Sequence, residues 1–166
     1  MEYKEYINEF EVAKNRLDQS LLKKKELEVW VGIKLDSVVL KLYKKNWTND
    51  PFKPLDAKSR IFFSVWMSDQ SIAEQKVYYN IHALKLRELN GYCIKSRDFA
   101  DSFRKKFNNH QSDWQNVTTS LGPLTLMEGF KNFDEENLNE TVYGLANDFI
   151  KMEQLVDDTL RLFSKK

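Results

Sequence analysis

Residues 27–43, LEVWVGIKLDSVVLKLY, have apolar side chains at every second position. A period of two is typical of β-strands, because successive side chains point to opposite faces of a sheet. Asp36 and Ser37 separate two apolar series, so the pattern predicts a β-hairpin with these two residues as its turn.

Counting outward from this turn predicts the strand pairing. Trp30 falls opposite Tyr43 and Glu28 opposite Lys45, an aromatic pair and an opposite-charge pair that stabilise antiparallel strands. The face opposite the apolar one then carries aromatic and basic side chains together: Trp30, Lys34, Lys41, Tyr43 and Lys45. Such a face can stack bases and neutralise phosphates, so it is a candidate nucleic-acid surface. The alternative is that a helix covers the two rings and leaves the lysine tips in water.

Helical spacing dominates upstream of the hairpin. Apolar residues recur three and four positions apart between residues 6 and 21, which predicts an amphipathic N-terminal helix. This helix runs into Lys23, Lys24 and Lys25, which the helix dipole favours near a C-terminus.

Downstream of the hairpin, the sequence predicts a loop and further strands. Residues 46–59 hold two of the three prolines and are assigned to a loop. Residues 61–67 are apolar on both faces, as expected for a central strand that helices cover on both sides. The segment 71–90 is assigned to a strand because of its β-branched and aromatic residues, although helix also fits part of it.

The C-terminal half is predicted to contain two helices. Ser96 caps a helix that has phenylalanines at positions 99, 103 and 107 on one face. Segment 114–127, interrupted by Gly122-Pro123, suggests a second hairpin or a bent strand pair. An acidic start at residues 134–136 and an apolar stripe predict a terminal helix of about 28 residues.

These elements define the expected fold class, which is α+β. We expect an antiparallel sheet of about five or more strands packed against an N-terminal helix, a short phenylalanine-rich helix and a long C-terminal helix. No linker or repeat divides the chain, so residues 1–166 are expected to form a single domain.

Charge is unevenly distributed along the chain. Residues 21–107 contain 18 Lys plus Arg and 10 Asp plus Glu, a balance of +8, whereas residues 108–166 contain 5 and 10, a balance of −5. Either the acidic tail neutralises the basic middle within one fold, or the basic surface faces an anionic partner. A second basic group could hold phosphate or a carboxylate: Lys85, Arg87, Arg97, Arg104, Lys105 and Lys106.

Common signatures of catalysis and metal binding are missing from the sequence. There is no GxxxxGKS/T, GxGxxG, GxSxG or HExxH motif, and no Cys/His cluster for a zinc ion. No metal or cofactor is therefore expected, and an enzyme is less favoured than a non-catalytic protein. His82 is the best candidate for an acid–base catalyst, although a histidine inside an apolar strand is more often a core residue.

The same features predict function class and compartment. The single cysteine, Cys93, and the lack of a signal peptide or a long apolar run predict a cytoplasmic protein without a membrane span. Abundant aromatics, including Trp47 near the surface, favour a binding module for a protein partner or a second copy, with an edge strand available for pairing. Nucleic-acid association through residues 21–107 is the alternative, and an enzyme that uses His82 is the third possibility.

Overall fold

The computed structural model describes residues 3–165 and contains six helices and five strands within that range. The elements in chain order are α1 (Tyr3–Arg16), α2 (Gln19–Lys25), β1 (Glu28–Lys34), β2 (Ser37–Tyr43), β3 (Arg60–Met67), α3 (Asp69–Ala73), β4 (Lys76–Leu84), α4 (Ser96–Phe107), β5 (Thr125–Asn132), α5 (Leu138–Met152) and α6 (Gln154–Arg161). None of these helices combines the length and the apolar character that crossing a bilayer requires.

The five strands form one antiparallel sheet in the order β1-β2-β3-β4-β5. Each strand therefore pairs only with its neighbours in sequence, β3 is central, and β1 is an edge strand. The α+β class, the five-stranded sheet and the helices at both ends of the chain confirm the predicted architecture.

The first hairpin forms, but its turn differs from the predicted one. Leu35 and Asp36, rather than Asp36 and Ser37, make the turn, and Lys34 pairs with Ser37. Leu35 has a φ of 49° and Asp36 a φ of 61°, which is the left-handed conformation that a type I′ turn requires.

This turn moves the strand pairing by two residues, so the predicted cross-strand register is wrong, although Glu28 and Lys45 still form an ion pair at 3.5 Å. Glu28 lies opposite Tyr43, and Trp30 lies opposite Lys41. Because the side-chain period of a strand is two, a shift of two leaves each side chain on its predicted face.

Helices cover one face of the sheet. Helix α1 packs against β1 and β2, and α5 packs against β3 and β4. On this face Phe63 of β3 stacks on Phe149 of α5, with ring centroids 4.4 Å apart. The opposite face, which we call the open face, carries Phe62 and Trp66, whose rings contact side chains of the neighbouring strands. The expectation that helices cover both faces of β3 is therefore wrong.

Two predicted segments are divided in the structure. The N-terminal helix is interrupted at Asp18, whose side chain accepts a hydrogen bond from the Leu21 amide and begins α2. The segment 71–90 contains the end of α3, strand β4 and a 3₁₀ turn at Leu86–Glu88, so one continuous strand is not formed. A capping box between Ser68 and Ser71 starts α3 and explains its position.

Three C-terminal predictions also change. Segment 114–127 forms no hairpin; β5 begins at Thr125, and Thr118 meets Glu128 only through an isolated bridge. Ser96 begins α4, but the N-cap is Lys95 and has no side-chain capping bond. The predicted terminal helix is divided into α5 and α6, with Glu153 between them.

A buried ion network joins the basic middle of the chain to its acidic tail. Glu153 is 2% exposed and pairs with Lys25 at 3.2 Å and Lys44 at 2.9 Å. Lys44 also lies 2.6 Å from Asp157, which accepts a hydrogen bond from the Trp47 indole at 2.8 Å. Trp47 is fully buried, so its predicted place near the surface is wrong.

Candidate anion-binding site

The open face contains a cavity of about 280 Å³, which we call the cup. Its lining comes from β1 to β4 and from the β1–β2 turn, and it consists of Lys34, Leu35, Ser37, Val39, Lys41, Ser64, Trp66, Asn80 and His82. No acidic side chain and no helical residue of the described chain lines the cup.

Strand pairing places the cup residues in rows across the sheet. Lys41 lies opposite Ser64, and Ser64 lies opposite Asn80, which makes one polar row. Val39 lies opposite Trp66 in the next row, which is apolar. Adjacent rows on one face are two residues apart, or about 6.6 Å along a strand. The cup therefore has a polar half beside an apolar half.

Lys41 is the least compensated charge in the cup. It is only 9% exposed, and its ammonium group makes no hydrogen bond or ion pair with another residue between 3 and 165. Its Nζ lies 5.1 Å from the centroid of the Phe62 ring. Burial, together with the positive charges of Arg60 and Lys34, lowers the pKa of Lys41 to about 8.

Arg60 approaches the same aromatic ring as Lys41. Its guanidinium carbon lies 5.8 Å from the centroid of Phe62, which is fully buried. The guanidinium also donates to the Ala57 carbonyl at 2.7 Å and to His82 Nε2 at 3.3 Å. Two cations thus flank one ring, and neither has a carboxylate partner within the described chain.

His82 lies at the polar end of the cup. Because its Nε2 accepts the bond from Arg60, the imidazole is neutral and carries its proton on Nδ1. Burial, with the charges of Arg60 and Lys41, lowers the pKa of His82 to about 3. A general base works best with a pKa near the working pH, so these surroundings disfavour the sequence-based hypothesis of catalysis by His82.

Asn80 adds an unpaired acceptor to the polar row. Its Oδ1 is buried without a hydrogen-bond partner among residues 3–165. Buried polar atoms in folded proteins are normally paired, because an unpaired one costs about 1–3 kcal/mol. The polar row therefore has unused hydrogen-bonding capacity at Asn80, which Ser64 separates from Lys41.

An aromatic row borders the cup. Trp66 stacks on Tyr78 with ring centroids 4.8 Å apart, and Tyr78 contacts Phe130 of β5 at 5.9 Å. All three side chains are half-buried, so part of each ring is available to a ligand.

The structure places only part of the predicted hairpin set in the cup. Lys34 and Lys41 line it. The Trp30 ring lies across Gly32, where an added Cβ would clash with it, and Lys34 lies over that ring. Trp30 therefore stays on the open face but outside the cup.

Two other members of the hairpin set have structural partners. Tyr43 is buried against Phe62, and burial and the neighbouring Glu28 carboxylate raise the pKa of its hydroxyl to about 12. Lys45 lies beyond the end of β2 and pairs with Glu28 at 3.5 Å.

The second basic set is not brought together. Lys85 and Arg87 are exposed and line another cavity, of about 500 Å³, near the start of α4. Arg97 is exposed and does not line this cavity. Arg104 is half-buried, and its guanidinium donates to the carbonyls of Gly122, Thr125 and Leu126. These bonds give Arg104 a structural role.

The cup includes residues that sequence reasoning did not select. Ser64, Asn80 and Trp66 come from β3 and β4, and only the strand register places them beside Lys41. Within residues 3–165, no group of three or more His, Cys, Asp or Glu side chains is arranged to hold a metal ion. Comparison with protein-family models, curated proteins and solved structures gave no match to this chain, so its site is interpreted from its own residues.

Proposed function

We propose that this chain is a binding protein that takes up an anionic ligand in the cup. The observation that carries the proposal is Lys41, which is nine-tenths buried in a concave surface and whose ammonium group contacts the Phe62 ring but has no hydrogen-bond or ion-pair partner within residues 3–165. A buried charge of this kind lowers the stability of the free protein, and an anion in the cup would compensate it.

The surroundings of Lys41 support an anionic occupant. Lys34 and Arg60 are close enough to lower the pKa of Lys41 by repulsion, so three positive charges converge on this part of the sheet. Ser64 and the Nδ1 hydrogen of His82 are neutral donors that could fix the orientation of an anion.

The wider open face also supports the nucleic-acid alternative, and one titration separates the two. Trp66, Tyr78 and Phe130 could stack bases, and Lys76 lies 4.4 Å from the Phe130 ring. A small anion should contact the cup alone, whereas a single strand should extend along the aromatic row and bind with a steep salt dependence.

The experiment follows backbone amide shifts by NMR during titration with sulfate, benzoate or a ten-residue oligothymidylate. The proposal predicts that sulfate and benzoate shift residues 39–41, 64–66 and 80–82, and that Lys41→Met removes these shifts. Lys85→Met removes a lysine from the other cavity and should behave as wild type. Shifts that survive Lys41→Met, or shifts outside the cup, would contradict the proposal. Salt-sensitive shifts that reach Phe130 only with oligothymidylate favour the nucleic-acid alternative.

Self-association is a second candidate function, which the free edge of β1 favours. In the sheet order β1 has a strand on one side only, and Ile33 on it is 46% exposed. An exposed strand edge can pair with a second copy. Sedimentation over a range of concentrations should then show a dimer that Ile33→Lys dissociates, and a monomer at every concentration would contradict this function.

A further inference from the structure

The apolar half of the cup is bounded by a leucine in an unusual position. Leu35 occupies the first central position of the type I′ turn with a φ of 49°, a conformation that glycine, asparagine and aspartate adopt most readily. The other non-glycine residues of the described chain with positive φ are all polar: Glu26, Asp36, Gln75, Lys85 and Asn116.

Leu35 is also almost completely in solvent. Its side chain is 98% exposed, and it does not belong to the hydrophobic core or to the residues packed against it. The fold therefore gains nothing from an apolar side chain here and bears the cost of the left-handed backbone. A strained residue at the rim of a cavity indicates a functional role for its side chain.

The position of Leu35 relative to the rows of the cup indicates what its side chain contacts. The turn closes the cup beyond the Lys34–Ser37 pair, the apolar row of Val39 and Trp66 comes next, and Lys41 follows one row further along β2. A ligand that contacts Leu35 and Trp66 while it pairs with Lys41 must have an apolar part next to its anionic group. Adjacent rows are about 6.6 Å apart, which sets the approximate separation of the anionic group from a tail at Trp66, and Leu35 lies at least one row further from Lys41.

We propose that the ligand of the cup is a small amphiphile whose anionic group lies at Lys41 and whose apolar, ring-bearing tail lies between Leu35 and Trp66. This inference rests on the proposed function and adds the chemical class of the ligand. A carboxylate and a phosphate ester share the required chemistry at the anionic end.

The test measures dissociation constants by calorimetry for sulfate, 3-phenylpropanoate, phenyl phosphate and 3-phenylpropan-1-ol. Sulfate carries charge without a tail, and the alcohol carries a tail without charge. We expect wild type to bind the two amphiphiles at least tenfold more tightly than either of the other probes. The tighter of the two amphiphiles identifies the preferred anionic group.

Leu35→Asn isolates the contribution of the tail. Asparagine suits the left-handed turn, so this variant should unfold at the same temperature as wild type or higher. Its affinity for the amphiphiles should fall roughly three- to tenfold, as expected when part of a leucine contact is lost, while its affinity for sulfate stays unchanged. Phe52→Asn is the matched control, because Phe52 is 95% exposed but does not line the cup.

The outcomes separate this inference from the proposed function. If Leu35→Asn binds the amphiphiles as tightly as wild type while Lys41→Met does not bind them, the cup takes anions but the amphiphile inference is wrong. Equal affinity of wild type for sulfate and for the amphiphiles also overturns it. If Lys41→Met binds every anionic probe as wild type does, the proposed function itself is wrong.

Discussion

The ammonium nitrogen of Lys41 lies 5.1 Å from the centroid of the Phe62 ring, and no carboxylate of the described chain neutralises it. Lys44, three residues further along, is buried to the same extent but pairs with Glu153 and Asp157. Burial would lower the pKa of Lys44, but hydrogen bonds to Asp157 and Glu153 outweigh it and raise that pKa. We therefore expect the charge of Lys41 to lower the free energy of unfolding and the charge of Lys44 to raise it.

Lys41→Met should stabilise the free protein at pH 7 by roughly 1–2 kcal/mol. Folding lowers the pKa of Lys41 from 10.5 to about 8, so the folded state disfavours the charged amine. This cost is fully present below pH 8 and disappears above about pH 10.5. Urea unfolding of wild type and variant at pH 7 measures the difference, and a clear loss of stability in Lys41→Met would show that its charge is compensated.

Lys44→Met should have the opposite effect and destabilise the protein by about 3–5 kcal/mol. The change leaves the Glu153 carboxylate buried at 2% exposure with Lys25 as its remaining partner. Removing one member of a buried pair is costly because the other charge is left without compensation. The same urea experiment checks this value, and equal stabilities of Lys44→Met and wild type would contradict a structural role for the network.

Two neighbouring aspartates allow a matched comparison of buried and exposed ion pairs. Asp157→Asn weakens contacts to Lys44 and Trp47 and should cost roughly 1–3 kcal/mol. Asp158→Asn weakens only exposed contacts, the ion pair with Arg161 and the hydrogen bond that Gln154 donates, and should cost less than about 0.5 kcal/mol. Thermal unfolding of both variants tests the order, and a larger loss in Asp158→Asn would be inconsistent with the network described above.

The stability of the protein should fall on mild acidification because of His82. Folding lowers its pKa from 6.5 to about 3, so below pH 6.5 the unfolded chain binds a proton that the folded chain excludes. His82→Gln keeps an acceptor for Arg60 but does not titrate. Between pH 6.5 and 5 this variant should lose roughly 1.5 kcal/mol less unfolding free energy than wild type. Parallel unfolding curves at both pH values check the difference, and identical losses would rule out this role of His82.

Arg104→Lys should cost roughly 1–2 kcal/mol of unfolding free energy. The guanidinium donates to three backbone carbonyls between residues 122 and 126, and an ammonium group cannot reproduce that planar arrangement. The matched control is Arg97→Lys on the exposed side of the same helix, which should stay within about 0.5 kcal/mol of wild type. Calorimetric unfolding of both variants distinguishes the two positions.

The sequence predicts the faces of the hairpin but not its turn. Alternation of apolar residues within 27–43 depends only on the period of a strand, so Lys34 and Lys41 were correctly placed on the same face. The turn depends on backbone conformation, and Leu35 adopts a positive φ although it continues the apolar series whose end placed the predicted turn at Asp36 and Ser37. Leu35, the residue with this unfavourable turn conformation, is also the residue at the rim of the cup.

The cup itself could not be predicted, because its walls come from separate strands. Ser64 and Asn80 are unremarkable polar positions within β3 and β4, and they meet Lys41 only through the register of the sheet. Charge counts along the chain left open whether the acidic tail neutralises the basic middle. In the structure the tail neutralises Lys44, whereas Lys41 has no carboxylate partner within the described chain.

The most direct test of the anion-binding cup is an NMR pH titration of the Lys41 side-chain amine with and without saturating sulfate. Sodium chloride at the same ionic strength serves as the control for screening. We expect the pKa of the Lys41 amine to be about 8 in chloride. In sulfate this pKa should rise by at least about one unit, because a bound anion favours the charged amine. A Lys41 pKa that is the same in sulfate and in chloride would contradict the claim that the cup binds anions.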